Sequence, residues 1–194
     1  MPRPKSFDVD EALDRAVDLF WVNGYASTSM EDLVNHLGIN RGSLYSTFGS
    51  KQELYDRALE RYLKNGRHRF AEKVTDPSIP LRDVIKFLLN SSAEKGDHRG
   101  CLLVNTTMER NATDERSLDQ TSKGFDELRA ILIAAFESRR NELTDGLTPD
   151  RAADLLLVAT QGLRVVGATE SKISADSTIQ TVLDTLTPET PARR

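Results

Sequence analysis

The chain has 194 residues, 38% hydrophobic and 29% charged, enough for one substantial core with a smaller appended unit. Its single cysteine excludes an intrachain disulfide, and three histidines add little toward a metal site; no cofactor is expected. The longest apolar run, Ala130 to Phe136, falls far short of the roughly 20 residues of a membrane span, and the start Met-Pro-Arg-Pro-Lys-Ser is not apolar, so a cytoplasmic protein without membrane contact is expected. Of the −4 net charge, none arises from Met1 through Arg69, where ten basic residues balance ten acidic ones; beyond it stand 16 basic and 20 acidic residues. Arg3, Lys5, Arg41 and Lys51 fall in the N-terminal arm and at helix starts, which allows a local basic face despite the acidic total.

The first predicted helix runs from Val9 to Asn23, opened by Asp8 with Glu11 and closed by Gly24, with Ala12, Leu13, Ala16, Val17 and Phe20 on one face. Ser29 then caps a second helix whose third position is Asp32, a capping-box spacing, and Leu33, Val34 and Leu37 mark its inward side. Gly38-Ile39-Asn40 forms a tight turn: Gly38 takes a left-handed C-terminus, Ile39 plugs the angle and Asn40 caps the third helix. That helix, Arg41 to Phe48, buries Leu44 and Phe48 and turns Arg41, Gly42, Ser43, Ser46 and Thr47 outward. Gly49 ends it, and Ser50 with Glu53 opens a helix with the stripe Leu54, Tyr55, Ala58, Leu59, Tyr62 and Leu63.

Two short helices about a tight turn, joined to a capped supporting helix, make a helix-turn-helix. Such a helix enters a major groove about 12 Å wide only if its leading side chains are small, as Gly42 and Ser43 are. Arg41 suits pairing with O6 and N7 of guanine, or phosphate contact alone, and Ser43 and Ser46 reach base edges or phosphates. The segments Gly-Tyr-Ala-Ser-Thr-Ser at 24–29, Leu-Tyr-Ser-Thr-Phe at 44–48 and Ser-Lys-Gln-Glu-Leu at 50–54 resemble the TetR/AcrR family of bacterial transcriptional regulators.

The resemblance implies an all-α chain with a three-helix, helix-turn-helix DNA-binding domain over residues 1–66 and a helical ligand-binding and dimerisation domain over 67–194. It also implies that Thr28, Tyr45, Thr47 and Lys51 grip backbone phosphates, with Ser29 in the same DNA-contacting set. Tyr45 as a core aromatic and Lys51 as a plain solvated lysine are the alternatives. A homodimer on a palindromic double-stranded operator, usually a repressor displaced by a small-molecule effector, is the implied assembly.

Beyond Gly66 longer helices are separated at 75–78, 96–100, 111–114 and 144–149. Leu81, Val84, Ile85, Leu88 and Leu89 form one stripe, and Leu118, Phe125, Leu128, Leu132, Ala135 and Phe136 a longer one. Thr148 and Pro149 suit the start of a helix reaching Gly167, apolar over more than one face, and Ile179, Val182, Leu183 and Leu186 mark a last helix before Pro188. By resemblance these last two helices pair with their copies, with Leu155, Leu156, Ile179, Val182 and Leu183 as expected interface residues.

The run His98-Arg99-Gly100-Cys101 resembles the start of the sixth helix in one branch of the family. A thiol there, two residues from an arginine, suits either an activated sensor of oxidants or electrophiles or a small buried hydrophobe. An effector pocket is expected among helices containing Leu88, Ser91, Cys101, Val104, Asn105, Met108, Phe125, Leu128 and Gln161. Two rivals are a Cys101–His98 enzyme, for which no orienting third group is recognisable, and a helical protein adaptor, which leaves the pattern of Gly42, Ser43, Tyr45 and Lys51 unexplained.

Overall fold

A computed structural model describes residues 7–94 (without the Arg69 side chain), 99–110, 114–169 and 172–188. Arg3, Lys5 and His98 lie outside the described residues, as does most of the expected 111–114 turn. Among the described residues every regular element is helical: α1 (Val9–Asn23), α2 (Met30–Leu37), α3 (Arg41–Phe48), α4 (Lys51–Val74), α5 (Leu81–Ala93), α6 (Leu102–Arg110), α7 (Glu115–Ser138), α8 (Pro149–Gly167) and α9 (Ala175–Leu186). None of these helices is long and apolar enough to cross a membrane.

The chain forms two compact units. The first combines Met1–Gly66 with Leu102–Gly124, and the second combines Arg67–Cys101 with Phe125–Arg194. The single boundary anticipated after residue 66 therefore differs from the structural partition, because α6 and the first part of α7 pack with the N-terminal helices. Inside the first unit, the buried Tyr55 hydroxyl meets Thr106 Oγ1 at 2.8 Å. Gly124 lets α7 approach closely, since a Cβ there would stand 2.6 Å from Leu63 Cδ2. Neither link is visible in helical periodicity.

The core of the first unit gathers Ala12, Ala16, Phe20, Leu33, Leu37, Ile39, Leu44, Phe48, Leu54 and Tyr55, with most of the predicted inward positions of α1 to α4 facing it and Leu59 and Leu63 of the α4 stripe outside it. In the second unit α5 packs on α8 and α9, and Leu81, Ile85, Leu89, Phe136, Ala152, Leu156, Leu163 and Leu186 are buried together. Arg139 is buried as well, and its guanidinium donates to the carbonyls of Ala135, Ile79, Asp76 and Val74. It thereby satisfies acceptors beyond the end of α4 that burial would otherwise orphan.

The expected dimer residues need correction in this frame. Leu156, Ile179, Val182 and Leu183 are buried in their own unit's core, and only Leu155 among the five faces outward, at 37% exposure. An apolar arc wider than one face cannot reveal from sequence which edge points outward. The outward stripe of α8 runs through Leu155, Val158 and Val165, with Val158 71% exposed. Replacing Leu156→Ala removes a fully buried side chain beneath that stripe, and the urea unfolding free energy should fall by about 2–5 kcal/mol. A change below about 1 kcal/mol would contradict its place in the core.

Candidate nucleic-acid interface

Three caps position the helix-turn-helix. Ser29 Oγ accepts from Asp32 N at 3.1 Å while Asp32 accepts from Ser29 N at 2.8 Å, closing the box that starts α2. Gly38 takes φ +68° and donates its N–H to Val34 O, so the chain reverses without Cβ strain. Asn40 Oδ1 then accepts from Ser43 N at 2.8 Å, starting α3. Ser50 and Glu53 make a second reciprocal cap at the head of α4, Ser50 N donating to Glu53 Oε2 at 2.8 Å and Glu53 N to Ser50 Oγ at 3.1 Å.

With Leu44 and Phe48 buried, α3 presents Arg41, Gly42, Tyr45 and Ser46 to solvent, while Ser43 and Thr47 are half-buried. Tyr45 is 43% exposed and lies under the Arg41 guanidinium, 5.8 Å from its carbon to the ring centroid, so the core-aromatic alternative does not describe it. Thr28 departs from its expected role. Its side chain is buried and its hydroxyl donates to Gly24 O at 2.6 Å, so it shapes the corner before α2 rather than facing outward. Lys51 is half-buried with Nζ 4.3 Å from the Tyr25 ring centroid; burial is the main influence drawing its pKa below the ordinary lysine value.

That corner is gripped by residues that no sequence signal marks. The Glu109 carboxylate, at the end of α6, accepts from Tyr25 N at 2.9 Å and Ala26 N at 2.6 Å. Arg110 lays its guanidinium 3.7 Å from the Tyr25 ring centroid and donates to Gln52 Oε1. Gln52 Nε2 in turn donates to Asp56 and Asp114, and Asp114 accepts from Arg110 and Ser117. The heads of α2 and α4 are thus tied to one another through α6. The Glu109 contacts span more than 80 residues of chain, which no local pattern discloses.

The candidate effector residues are not gathered in one unit. Val104, Asn105 and Met108 belong to the first, and Leu88, Ser91, Cys101, Phe125, Leu128 and Gln161 to the second. Met108 is 79% exposed and Ser91 also faces outward, whereas Cys101 is 7% exposed just before α6. Among the described residues no three His, Cys, Asp or Glu side chains converge to hold a metal.

Residues 12–58 match the family model for bacterial regulatory proteins of the tetR family. The chain is 34% identical over 170 residues to the HTH-type transcriptional repressor ComR of Escherichia coli strain K12, covering 84% of this chain and 80% of that protein. It is also 34% identical over 113 residues to the uncharacterized HTH-type transcriptional regulator YezE of Bacillus subtilis strain 168, covering 57% of this chain and 58% of that one. Among solved structures, a cysteine-substituted TetR-family regulator CifR, complexed with 26-base-pair double-strand operator DNA, superposes with a TM-score of 0.75 at 26% identity, over 95% of this chain and 99% of that one.

Burial opposes the charge of Asp114, but hydrogen bonds from Ser117 and Arg110 outweigh it and hold the carboxyl well below the usual carboxylate range. A depressed folded pKa contributes stability that is present above the unfolded value near 4 and is lost as pH falls below it. Wild-type protein should therefore lose stability between about pH 4 and 2, and Asp114→Asn should be destabilised at pH 7 by about 1–3 kcal/mol with a shallower acid loss. Urea midpoints at pH 7, 4 and 3 measure this; parallel acid profiles for the two proteins would contradict the role given to Asp114.

Proposed function

Because this chain belongs to the TetR family of bacterial DNA-binding transcriptional regulators, we propose that it acts in the cytoplasm as a homodimeric repressor of a palindromic operator, released by a small-molecule effector, with no enzymatic activity. The observation that carries this reading is the capped α3, whose outward residues combine a cation, a glycine and small hydroxyls. ComR, a repressor by name, and CifR, solved on operator DNA, support it.

In this reading α3 lies in the major groove. Arg41 reads guanine from its first turn, Gly42 admits close approach, and Ser43 and Ser46 reach base edges or neighbouring phosphates. Tyr45, Thr47 and Lys51 hold the backbone, with Ser29 at the head of α2 adding a donor and Thr28 supporting the corner from inside. Residues 1–66 carry these contacts, and the remainder serves effector binding and dimerisation. The burial of Cys101 favours the small-hydrophobe reading over an oxidant or electrophile sensor, so the release signal is assigned to a bound molecule.

Selection from random duplex DNA at fixed salt tests the operator. Enrichment of a palindrome with half-sites at least about one helical turn apart is expected; no enrichment from folded dimer would turn attention to a protein partner. On the selected site Arg41→Ala should relax preference at one base position by about 1–3 kcal/mol, while Lys51→Ala should weaken all sites alike and flatten the salt dependence by about one phosphate.

The exposed apolar stripe of α8 supports dimerisation through Leu155, Val158 and Val165, in place of the buried residues first expected. Val158→Glu should yield a folded monomer by light scattering with operator affinity lowered at least about a hundredfold, the energy of one half-site being lost. An intact dimer would move the interface elsewhere.

A further inference from the structure

Arg164 lies in the last turn of α8 and lines a small polar cleft with Ser91, Ser92 and Glu94. Its Nε is shut away from solvent without a hydrogen-bond partner, and the guanidinium makes no hydrogen bond or ion pair among the described residues. A cation at a helix C-terminus offsets the helix dipole, which accounts for the charge but not for one donor, Nε, held out of water and unspent. One turn earlier Gln161 likewise keeps Oε1 buried without a donor. Both atoms lie on neighbouring turns of one helix, and of the two residues Arg164 is the one that lines the cleft.

The shape beside them narrows what that is. The polar cleft, of about 80 Å³, shares Glu94 and Gly167 with a second cleft of about 520 Å³. Leu163, Val166 and Ile179 form apolar wall of the larger cleft, between the C-terminal ends of α5 and α8 and the start of α9. An arginine fork matches a carboxylate, and the larger volume takes an apolar body. Glu94 stands exposed where the clefts meet, and its charge disfavours an acidic group anywhere except where the Arg164 guanidinium offsets it.

We propose that these joined clefts bind a small monocarboxylate with an aliphatic or aromatic body, its carboxylate on Arg164 and its body against Leu163 and Val166, and that this is the chemical class of the effector. The assignment rests on reading this unit as the effector-binding part of a repressor. Ser92 Oγ donates to Leu88 O, so it presents only its lone pairs to the cleft, whereas the exposed Ser91 hydroxyl lines the same cleft and is able to donate.

Thermal denaturation of the full chain without DNA tests binding, with octanoate and benzoate as probes against octanol and octylamine. The two acids should raise Tm by about 5–10 °C at concentrations near a hundred times Kd, and the alcohol and amine should not. Arg164→Met should abolish the shift and Arg164→Lys keep part of it. Equal stabilisation by octanol and octanoate, no stabilisation by either acid, or a full shift in Arg164→Met would each overturn the site. If Arg164→Met fails to fold, the octanoate and octanol comparison on wild-type protein decides alone. Operator retention without any acid tests the repressor reading separately. Given that retention, octanoate should release wild-type protein but not Arg164→Lys at the same concentration; binding without release would overturn the effector assignment.

Discussion

The helix-turn-helix of this molecule depends on the grip of Glu109 and Arg110 on the corner at Tyr25. Helices α2 and α3 have eight residues each, too short to persist in water by their own hydrogen bonds. They are fixed by their caps, by a few buried side chains, and by the points where the chain enters and leaves. Glu109 occupies the backbone donors at the entrance, while Arg110 and Gln52 occupy the exit beside Lys51. A carboxylate accepting two amides and a guanidinium seated on an aromatic face are both directional, so they set an angle as well as a distance. The placement of Arg41 and Tyr45 on the outward side of α3 is inherited from that angle.

The polar network behind the corner is organised so that each charge meets its complement. Asp114 takes two donors from Arg110 and further ones from Gln52 and Ser117, and Asp56, fully buried, is met by Gln52 and by Arg116 from the surface. Removing one member leaves another buried without a partner, which generally costs more than the net worth of the pair. Such a network resists partial rearrangement, and the end of α6 and the heads of α2 and α4 respond as a group.

Legibility in the sequence divides along physical range. Local signals were legible: Ser29 with Asp32, Gly38, Asn40 and Ser50 with Glu53 stand where the capping chemistry puts them, and Leu44 and Phe48 face inward. Long-range contacts were not. Nothing around Glu109 says that its carboxylate belongs to Tyr25 and Ala26, and Gly124 looks like an ordinary weak helix position until Leu63 is found against it. The assignment of Thr28 failed because a threonine before a helix serves equally well inside or outside, and Leu156 and Leu183 failed because wide apolar stripes do not declare which edge is core. Arg164 escaped notice for the opposite reason: a basic residue in a last helical turn already has a satisfactory local explanation.

The interleaved order of the two units bears on how the protein is made. A ribosome adding roughly 5–20 residues each second releases the helix-turn-helix early, yet Thr106, Glu109, Arg110 and Gly124 reach it only after the whole of α5 has been synthesised. The N-terminal unit is therefore not a module that finishes first and waits. Its nascent helices lack their corner anchor and the partner of the Tyr55 hydroxyl until later chain arrives, so the helix-turn-helix matures together with the remainder of the protein rather than ahead of it.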